Sequence, residues 1–172
     1  MECERKVSLA VIDEDNFELV MELELEPYQE YNLASNAYSI AQMSYYSNFI
    51  GHAICLNSKP VGFIMYAMLP DEDFTEEYAI YRFMIDKNHQ GKGIGSMALN
   101  MLISKIKEEN FSAKKVTICY HTDNNGLRSF YKKFGFVEVG YDMSSCQDDN
   151  GDPVDSLAEI KLFPRSVLRD YV

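Results

Sequence analysis

With 172 residues, 47% of them hydrophobic, the chain is long enough to fold as one domain with a buried core. A net charge of −11 disfavours nucleic acid as a partner, and no apolar stretch is long enough to predict a membrane span. The four cysteines and three histidines are scattered, so we expect no metal site, no disulfide framework and a cytoplasmic location.

The first predicted elements are a strand and an acidic helix. Residues 6–12 alternate as a strand does, and Asp15 is a candidate cap for a helix that runs to about Leu25 and stops before Pro27. Acidic residues line the polar side of this helix and continue beyond it. They are Glu18, Glu22, Glu24, Glu26 and Glu30.

A second helix and a hairpin follow. Ser35 or Asn36 is expected to cap a helix that ends near Ser47. The hairpin is predicted from two apolar runs and the polar pair between them, which are 51–57, 60–69 and Ser58-Lys59. Residues 70–77 are then expected to form an acidic loop.

The central strand and the loop after it are the most informative part of the chain. Residues 78–85 predict a strand, residues 86–89 interrupt it, and apolar residues from Ile94 to Ile106 recur at helical spacing. Glycines between strand and helix let an anion approach the first-turn N–H groups, which have no intrahelical partner. The segment is therefore expected to bind a phosphorylated cofactor.

The spacing of the glycines separates the kinds of phosphate-binding loop. A P-loop would need glycine at Asp86 and Ser or Thr after Lys92, and a dinucleotide-binding loop would need glycine at Ser96. Gln90-x-x-Gly93-x-Gly95 instead resembles the motif of the GNAT (Gcn5-related N-acetyltransferase) family. This resemblance implies acetyl-CoA as the cofactor.

A later segment resembles the second cofactor motif of the same family. Residues 126–134 predict a short helix that Asn124 caps and Gly135 ends. Asn124 stands seven residues before Tyr131, as the family pattern requires. The two motifs carry the resemblance over about residues 61–136.

The remaining elements complete the predicted fold. Strands are expected at 115–120, 136–143 and 154–162, with residues 164–172 as a tail of one domain spanning 1–172. The order β-α-α-β-β-β-α-β-α-β-β predicts an α/β protein with a mixed sheet. The resemblance implies the GNAT fold, in which helices flank the sheet and two parallel strands splay apart to admit the pantetheine arm.

The resemblance also implies roles for individual residues. Tyr131 would be the general acid beside the sulfur, a role that suits a phenol that is neutral at pH 7. Glu77 and Tyr81 are candidates for the base, although the family has no universal residue for that step and several members use a water chain. The cofactor would be bound by Phe83, Met84, Ile85, Gln90, Gly91, Lys92, Gly93, Ile94, Gly95, Ser96 and Asn124.

The distribution of charge indicates a cationic acceptor. Residues 87–133 carry nine Lys/Arg against three Asp/Glu, whereas the remainder carries seven against 24. The basic part coincides with the cofactor motifs, so the acidic part is expected to face the acceptor, unless it is an acidic surface that only keeps the protein soluble. Glu26, Glu30, Glu77 and Tyr81 are the candidate substrate-binding residues.

Further segments resemble the bacterial spermidine/spermine (diamine) acetyltransferases of the family, which implies a polyamine acceptor. They are 26–29, 33–42, 60–66 and 82–86. Two rival interpretations stay open: an acetyltransferase for an aminoglycoside, an amino acid or a protein N-terminus, and a CoA-binding sensor without turnover. A homodimer is also left open.

Overall fold

The computed structural model describes residues 5–70, 76–142 and 155–162. Its strands are β1 (Val7–Val11), β2 (Phe49–Leu56), β3 (Lys59–Pro70), β4 (Glu76–Ile85), β5 (Ala113–His121), β6 (Val137–Tyr141) and β7 (Asp155–Lys161). Its α-helices are α1 (Phe17–Met21), α2 (Asn36–Tyr45), α3 (Ile94–Glu109) and α4 (Asn125–Lys132), with short 3-10 helices at Pro27–Asn32 and Lys87–His89. The predicted order of strands and helices is confirmed.

The strands form one mixed sheet in the order β1-β2-β3-β4-β5-β7-β6. β4 and β5 are parallel, with a register that runs from Glu76–Ala113 to Ile80–Ile118, whereas β1–β2, β2–β3, β5–β7 and β6–β7 are antiparallel. β4 continues to Ile85, five residues past the end of that parallel register. The mixed α/β architecture predicted from the sequence is confirmed.

The chain divides into two compact units. One comprises the residues up to Ala67 together with Tyr81–Ile106, and the other comprises Met68–Ile80 together with the residues from Lys107 onward. The prediction of a single domain over 1–172 stays a prediction. Within the described residues, no helix is both long and apolar enough to cross a membrane.

The core of the first unit lies under β2, β3 and β4. Its buried members are Val20, Ala53, Cys55, Phe63, Met65 and Met84. Gly62 allows β3 and β4 to approach closely, because a Cβ at this position would lie 2.6 Å from the carbonyl oxygen of Met84. α3 buries one apolar face, made of Ile94, Ala98, Leu99, Leu102, Ile103 and Ile106.

The prediction for α1 is wrong in both its start and its length. The helix covers only Phe17–Met21, and Asn16 rather than Asp15 precedes it. The helix ends early because both backbone groups of Glu24 bond elsewhere. The Glu24 N–H donates to the Asp86 carboxylate, and the Glu24 carbonyl accepts from the Lys87 N–H. Leu23 and Leu25 also pack against the core.

The prediction for α2 is confirmed, and Ser35 is its cap, since its Oγ accepts from the Tyr38 N–H at 3.2 Å. The hairpin turn lies one residue earlier than predicted, at Asn57-Ser58, where both residues have positive φ (49° and 68°), as a type I′ turn requires. Glu76 and Glu77 belong to β4 rather than to a loop. The predicted loop at 71–75, most of residues 148–155 and the tail 164–172 lie outside the described residues.

Candidate active site

Asp86 organises the turn that follows β4. Its Oδ1 accepts hydrogen bonds from the backbone N–H and the side-chain amide of Asn88, at 3.0 and 3.1 Å, and lies 3.3 Å from His89 Nδ1. Its Oδ2 accepts from the Glu24 N–H at 3.1 Å. Burial to 8% exposure would raise the pKa of Asp86, but these hydrogen bonds outweigh burial and lower it. The carboxylate is therefore a buried, satisfied anion.

The side chain of Gln90 turns back toward β4. Its Nε2 donates to the Ile85 carbonyl at 2.9 Å and to Gln29 Oε1 at 2.8 Å. Gln29 Nε2 in turn donates to Gln90 Oε1 at 3.2 Å. The first residue of the predicted cofactor motif thus anchors the start of the loop through its side chain, which leaves the backbone of the following residues for a ligand.

Residues 91–93, called the glycine loop below, are exposed, and both glycines have left-handed backbone conformations. Gly91 and Gly93 have φ of 71° and 78°, and apart from the glycine and its two chain neighbours no atom lies within 4 Å of a Cβ added at either position. The Gly93 carbonyl accepts from the Met97 N–H at 3.1 Å, so α3 begins directly after it. Its first-turn N–H groups and the helix dipole favour an anion here. Lys92, whose Nζ donates to the Asn88 carbonyl at 2.6 Å, adds positive charge beside the loop.

The last residues of β4 differ in the exposure of their side chains. Met84 is buried at 6% exposure, and the Asn36 side-chain amide lies 3.8 Å from its sulfur, while Phe83 and Ile85 are half-buried. Tyr81 is partly exposed, and its ring centroid lies 4.9 Å from that of Phe49. That the backbone of this strand contacts the cofactor stays a prediction.

Residues 24–30, which carry Glu24, Glu26 and Glu30 and are called the acidic segment below, are joined to the residue before the glycine loop by the Gln29–Gln90 contact. The 3-10 helix Pro27–Asn32 carries Gln29, and its preceding residue, Glu26, donates its backbone N–H to Gln29 Oε1 at 3.2 Å. Glu30 is exposed and Glu26 is half-buried. Two of the predicted substrate-binding residues thus lie on a segment that is hydrogen-bonded to the predicted cofactor loop.

Asn124 caps α4, as predicted. Its Oδ1 accepts from the Leu127 N–H at 3.0 Å. Gly135, with φ of 87°, follows the helix in a left-handed conformation, also as predicted. The cap fixes the start of the short helix that carries Tyr131.

Tyr131 is buried among aromatic rings, at 3% exposure. Its ring stacks on Tyr120 with centroids 5.5 Å apart and meets Phe130 and Phe136 edge-on, at 5.2 and 5.6 Å. Burial, and then the charge of Tyr120, raise the pKa of Tyr131 above the ordinary tyrosine value. The phenol is therefore protonated at neutral pH, and burial makes the loss of its proton less favourable.

The hydroxyl of Tyr120 leads to a polar network that sequence reasoning missed. It donates to Glu138 Oε1 at 2.9 Å, and Arg128 Nε donates to the same oxygen at 2.8 Å. Burial and the hydrogen bond to Glu138 raise the pKa of Tyr120 to about 12. No local spacing indicates this contact, because the residues belong to β5, α4 and β6.

Glu77 is paired within its own sheet. Its carboxylate lies 2.9 Å from Lys115 Nζ, the cross-strand neighbour on β5, and Glu159 lies 3.5 Å from the same ammonium. These contacts raise the pKa of Lys115, chiefly through the hydrogen bond to Glu77. The charge of Glu77 is thus largely neutralised by its neighbour.

Comparisons with known proteins agree with this geometry. The family model described as Acetyltransferase (GNAT) family matches residues 14–136. The chain is 26% identical over 135 residues to a probable spermine N(1)-acetyltransferase of Bacillus subtilis subsp. natto, a match that covers 76% of this chain and 87% of that protein. It is 25% identical to the spermine/spermidine N(1)-acetyltransferase of Bacillus subtilis strain 168, with the same coverage.

A solved structure shares the fold. Arabidopsis thaliana Naa50, in complex with the bisubstrate analogue CoA-Ac-MVNAL, superimposes with a TM-score of 0.65 at 20% identity, over 91% of this chain and 99% of that one. At this identity, the likeness extends to the fold alone.

Proposed function

The chain belongs to the Acetyltransferase (GNAT) family, and from that premise we propose that it transfers an acetyl group from acetyl-CoA to a primary amine of a polyamine such as spermidine or spermine. The observation that carries the proposal is the hydrogen-bonded contact between the acidic segment and the glycine loop, made by Gln29 and Gln90. Through this contact, the segment that carries Glu26 and Glu30 lies next to the residue that precedes the glycine loop. The carboxylates would bind a polycation, and the loop would bind a phosphorylated cofactor.

The described loop fits the phosphates of acetyl-CoA. Gly91 and Gly93 leave open space at their α-carbons, and the first turn of α3 presents backbone N–H groups. The backbones of Gln90–Ser96 would bind the pyrophosphate, with Lys92 adding charge. The backbone of Phe83, Met84 and Ile85, together with Asn124, would contact the pantetheine arm. The bound cofactor supplies an acetyl group activated as a thioester.

Residues of the chain would carry out both proton transfers, one to the sulfur and one from the amine. Tyr131 would donate a proton to the departing sulfur, since a phenol carries its proton at the pH of the reaction. The amine must lose a proton before it can attack. Tyr81, partly exposed on β4, stays a candidate base. Glu77 is not included in the proposal as a base, because its carboxylate is already paired with Lys115.

The acceptor assignment has two independent supports. The curated relatives carry spermine or spermidine in their names, although the identity is only 25–26%. The acidic residues of this chain lie mostly outside 87–133, and Glu26 and Glu30 lie on the segment beside the loop. A field of this sign draws a polycation toward the acceptor side and disfavours anionic amines.

Thiol release across a panel of amines, measured at several salt concentrations, tests the proposal. We expect spermine and spermidine to be acetylated in preference to an aminoglycoside, amino acids, a peptide N-terminus and neutral amines. The KM for spermine should rise with ionic strength, since salt screens an exposed acidic surface. Equal rates with neutral amines, or a salt-independent spermine KM, would contradict the polyamine assignment. Acetyl-CoA binding without thiol release for any amine would favour the sensor.

A further inference from the structure

Gln29 and Gln90 form a reciprocal amide pair between two segments 61 residues apart. Gln90 Nε2 donates to Gln29 Oε1 at 2.8 Å, and Gln29 Nε2 donates to Gln90 Oε1 at 3.2 Å. Both side chains are partly buried, so water competes less for these bonds than at the surface. The pair has a defined geometry rather than a loose surface contact.

Each member of the pair is also bonded to the backbone of its own segment. Gln90 Nε2 donates to the Ile85 carbonyl at 2.9 Å, and Gln29 Oε1 accepts from the Glu26 N–H at 3.2 Å. A continuous hydrogen-bonded path therefore runs from the end of β4, through both side chains, to the backbone of Glu26. Any displacement of the Gln90 side chain must lengthen a bond on this path or move Glu26 with it.

A second set of contacts fixes the same segment at a different place. The Glu24 backbone bonds to the Asp86 carboxylate and the Lys87 N–H, and its carboxylate lies 2.7 Å from Lys87 Nζ. These contacts lie before the glycine loop, whereas Gln90 directly precedes Gly91, whose φ is 71°. The amide pair is thus the connection that adjoins the part of the loop where a ligand would bind.

We propose that Gln29 is a positioning residue, which acts through Gln90 to couple occupancy of the glycine loop to the order of the acidic segment. Cofactor binding would restrict the backbone of Gln90 and Gly91, and the amide pair would transmit that restriction to Glu26. The inference rests on the proposed function in taking acetyl-CoA as the ligand of the loop and the segment as the acceptor side. The acceptor would therefore meet an ordered segment only when the acetyl donor is in place.

The amide chemistry provides a matched pair of variants. Gln29→Leu keeps the approximate size of the side chain and removes every hydrogen bond. Gln29→Glu keeps the oxygen that accepts from Gln90 at 2.8 Å and from Glu26. It replaces the 3.2 Å donor with a second acceptor oxygen facing Gln90 Oε1 and adds a negative charge. A merely structural role would not distinguish cofactor-bound from cofactor-free protein in either variant.

Hydrogen exchange of residues 24–30, with and without acetyl-CoA, tests the coupling directly. In the wild type, acetyl-CoA should slow exchange of the backbone N–H at position 29, which donates to the Glu26 carbonyl at 2.8 Å, about tenfold, within the usual range of coupling between two sites. Gln29→Leu should exchange equally fast with and without acetyl-CoA, and Gln29→Glu should retain most of the slowing. The same cofactor-dependent slowing in Gln29→Leu as in the wild type would overturn the proposal.

Two further readouts separate the possible failures. Acetyl-CoA affinity is measured by calorimetry on the same samples, and binding without any change at 24–30 contradicts the coupling alone. A wild type that does not bind acetyl-CoA contradicts the proposed function itself. In turnover, Gln29→Leu should raise the spermine KM about tenfold with kcat changed less. Adding Gln90→Leu to Gln29→Leu should raise it little further, because the two act as one unit. Additive effects would contradict action through Gln90.

Discussion

Asp86 and Tyr131 are both buried, yet the pKa of Asp86 is lowered and that of Tyr131 is raised. Asp86 is 8% exposed and Tyr131 is 3% exposed. At Asp86, hydrogen bonds from Glu24, Asn88 and His89 outweigh burial and lower the pKa. At Tyr131, which aromatic rings surround, burial is the main effect and raises the pKa. The surroundings of each group, rather than burial alone, decide whether it stays charged or stays protonated.

The difference assigns distinct tasks to the two regions. The carboxylate of Asp86 is needed as a charge, because it fixes Glu24, Asn88 and His89 around the turn before the glycine loop. The phenol of Tyr131 is the proposed acid, and its ring stacks on that of Tyr120. Substitutions in the first region should disturb folding and binding, and those in the second should disturb turnover.

The largest expected effect on turnover is that of Tyr131→Phe. The variant keeps the aromatic stack and removes the proton donor, so kcat should fall about 10²–10⁴-fold. Calorimetry with acetyl-CoA serves as the control, and the affinity should change little. Near-wild-type turnover would show that the sulfur is protonated from elsewhere, such as water.

Gly93→Glu should abolish acetyl-CoA binding. It places a carboxylate where a phosphate is expected, and the repulsion adds to backbone strain at φ of 78°. Gly93→Asn is the matched control, because asparagine tolerates this conformation and adds no charge. It should bind acetyl-CoA measurably by calorimetry, and both variants should retain the far-UV circular dichroism of the wild type. Unchanged affinity in Gly93→Glu would contradict the assignment of the loop.

Asp86→Asn should lower the free energy of unfolding by about 1–3 kcal/mol at neutral pH, because an amide replaces the oxygen that accepts the Glu24 N–H. The lowered pKa of Asp86 means that its charge stabilises the fold above the unfolded value of about 3.9, and this contribution is lost as the pH falls through the lower folded value.

Urea unfolding measures the free energy of unfolding of both proteins. The difference in this free energy between the wild type and Asp86→Asn should therefore shrink as the pH falls below about 4. Asp123→Asn is the control, since the Asp123 side chain is 91% exposed, and its effect should stay within about 0.5 kcal/mol. A constant difference across this pH range would contradict a charged Asp86.

Replacing Glu26 and Glu30 together by Gln should raise the KM for spermine several-fold and weaken its dependence on salt. The reason is the loss of two negative charges from the segment beside the glycine loop. Glu108→Gln with Glu109→Gln changes the net charge equally at the end of α3, and steady-state kinetics should show little effect on the spermine KM. If both double variants raise the spermine KM equally, the net charge of the protein, and not the position of Glu26 and Glu30, determines the affinity for spermine.

The smallest effect is expected from Tyr120→Phe. This change removes the hydrogen bond to Glu138 but keeps the ring that stacks on Tyr131, so kcat should stay within about threefold of the wild type. Tyr120→Leu removes the ring as well and should lower kcat further. Identical kcat values for the two variants would show that the stack does not orient Tyr131.

Local patterns predicted the elements of the fold because those patterns are short-range. The caps Ser35 and Asn124 and the parallel pairing of β4 with β5 follow from spacing and composition. The early end of α1 could not be predicted, because backbone groups of Glu24 bond to residues far along the chain. The same holds for the Gln29–Gln90 pair. An Asp followed two residues later by Asn could have indicated the turn at Asp86, though not its bond to Glu24.

Tyr131 can donate a proton in the reaction only if it still carries that proton under the reaction conditions. The most direct measurement is an NMR titration of protein labelled with ¹³C at the tyrosine Cζ, with the Tyr131 signal assigned from its loss in Tyr131→Phe. We predict that this signal does not titrate through the ordinary tyrosine range near pH 10 and shifts only at higher pH. A Tyr131 that ionises at or below pH 10 would contradict the effect of burial on its pKa, and one that ionises at or below the pH of the reaction would contradict its role as the neutral acid.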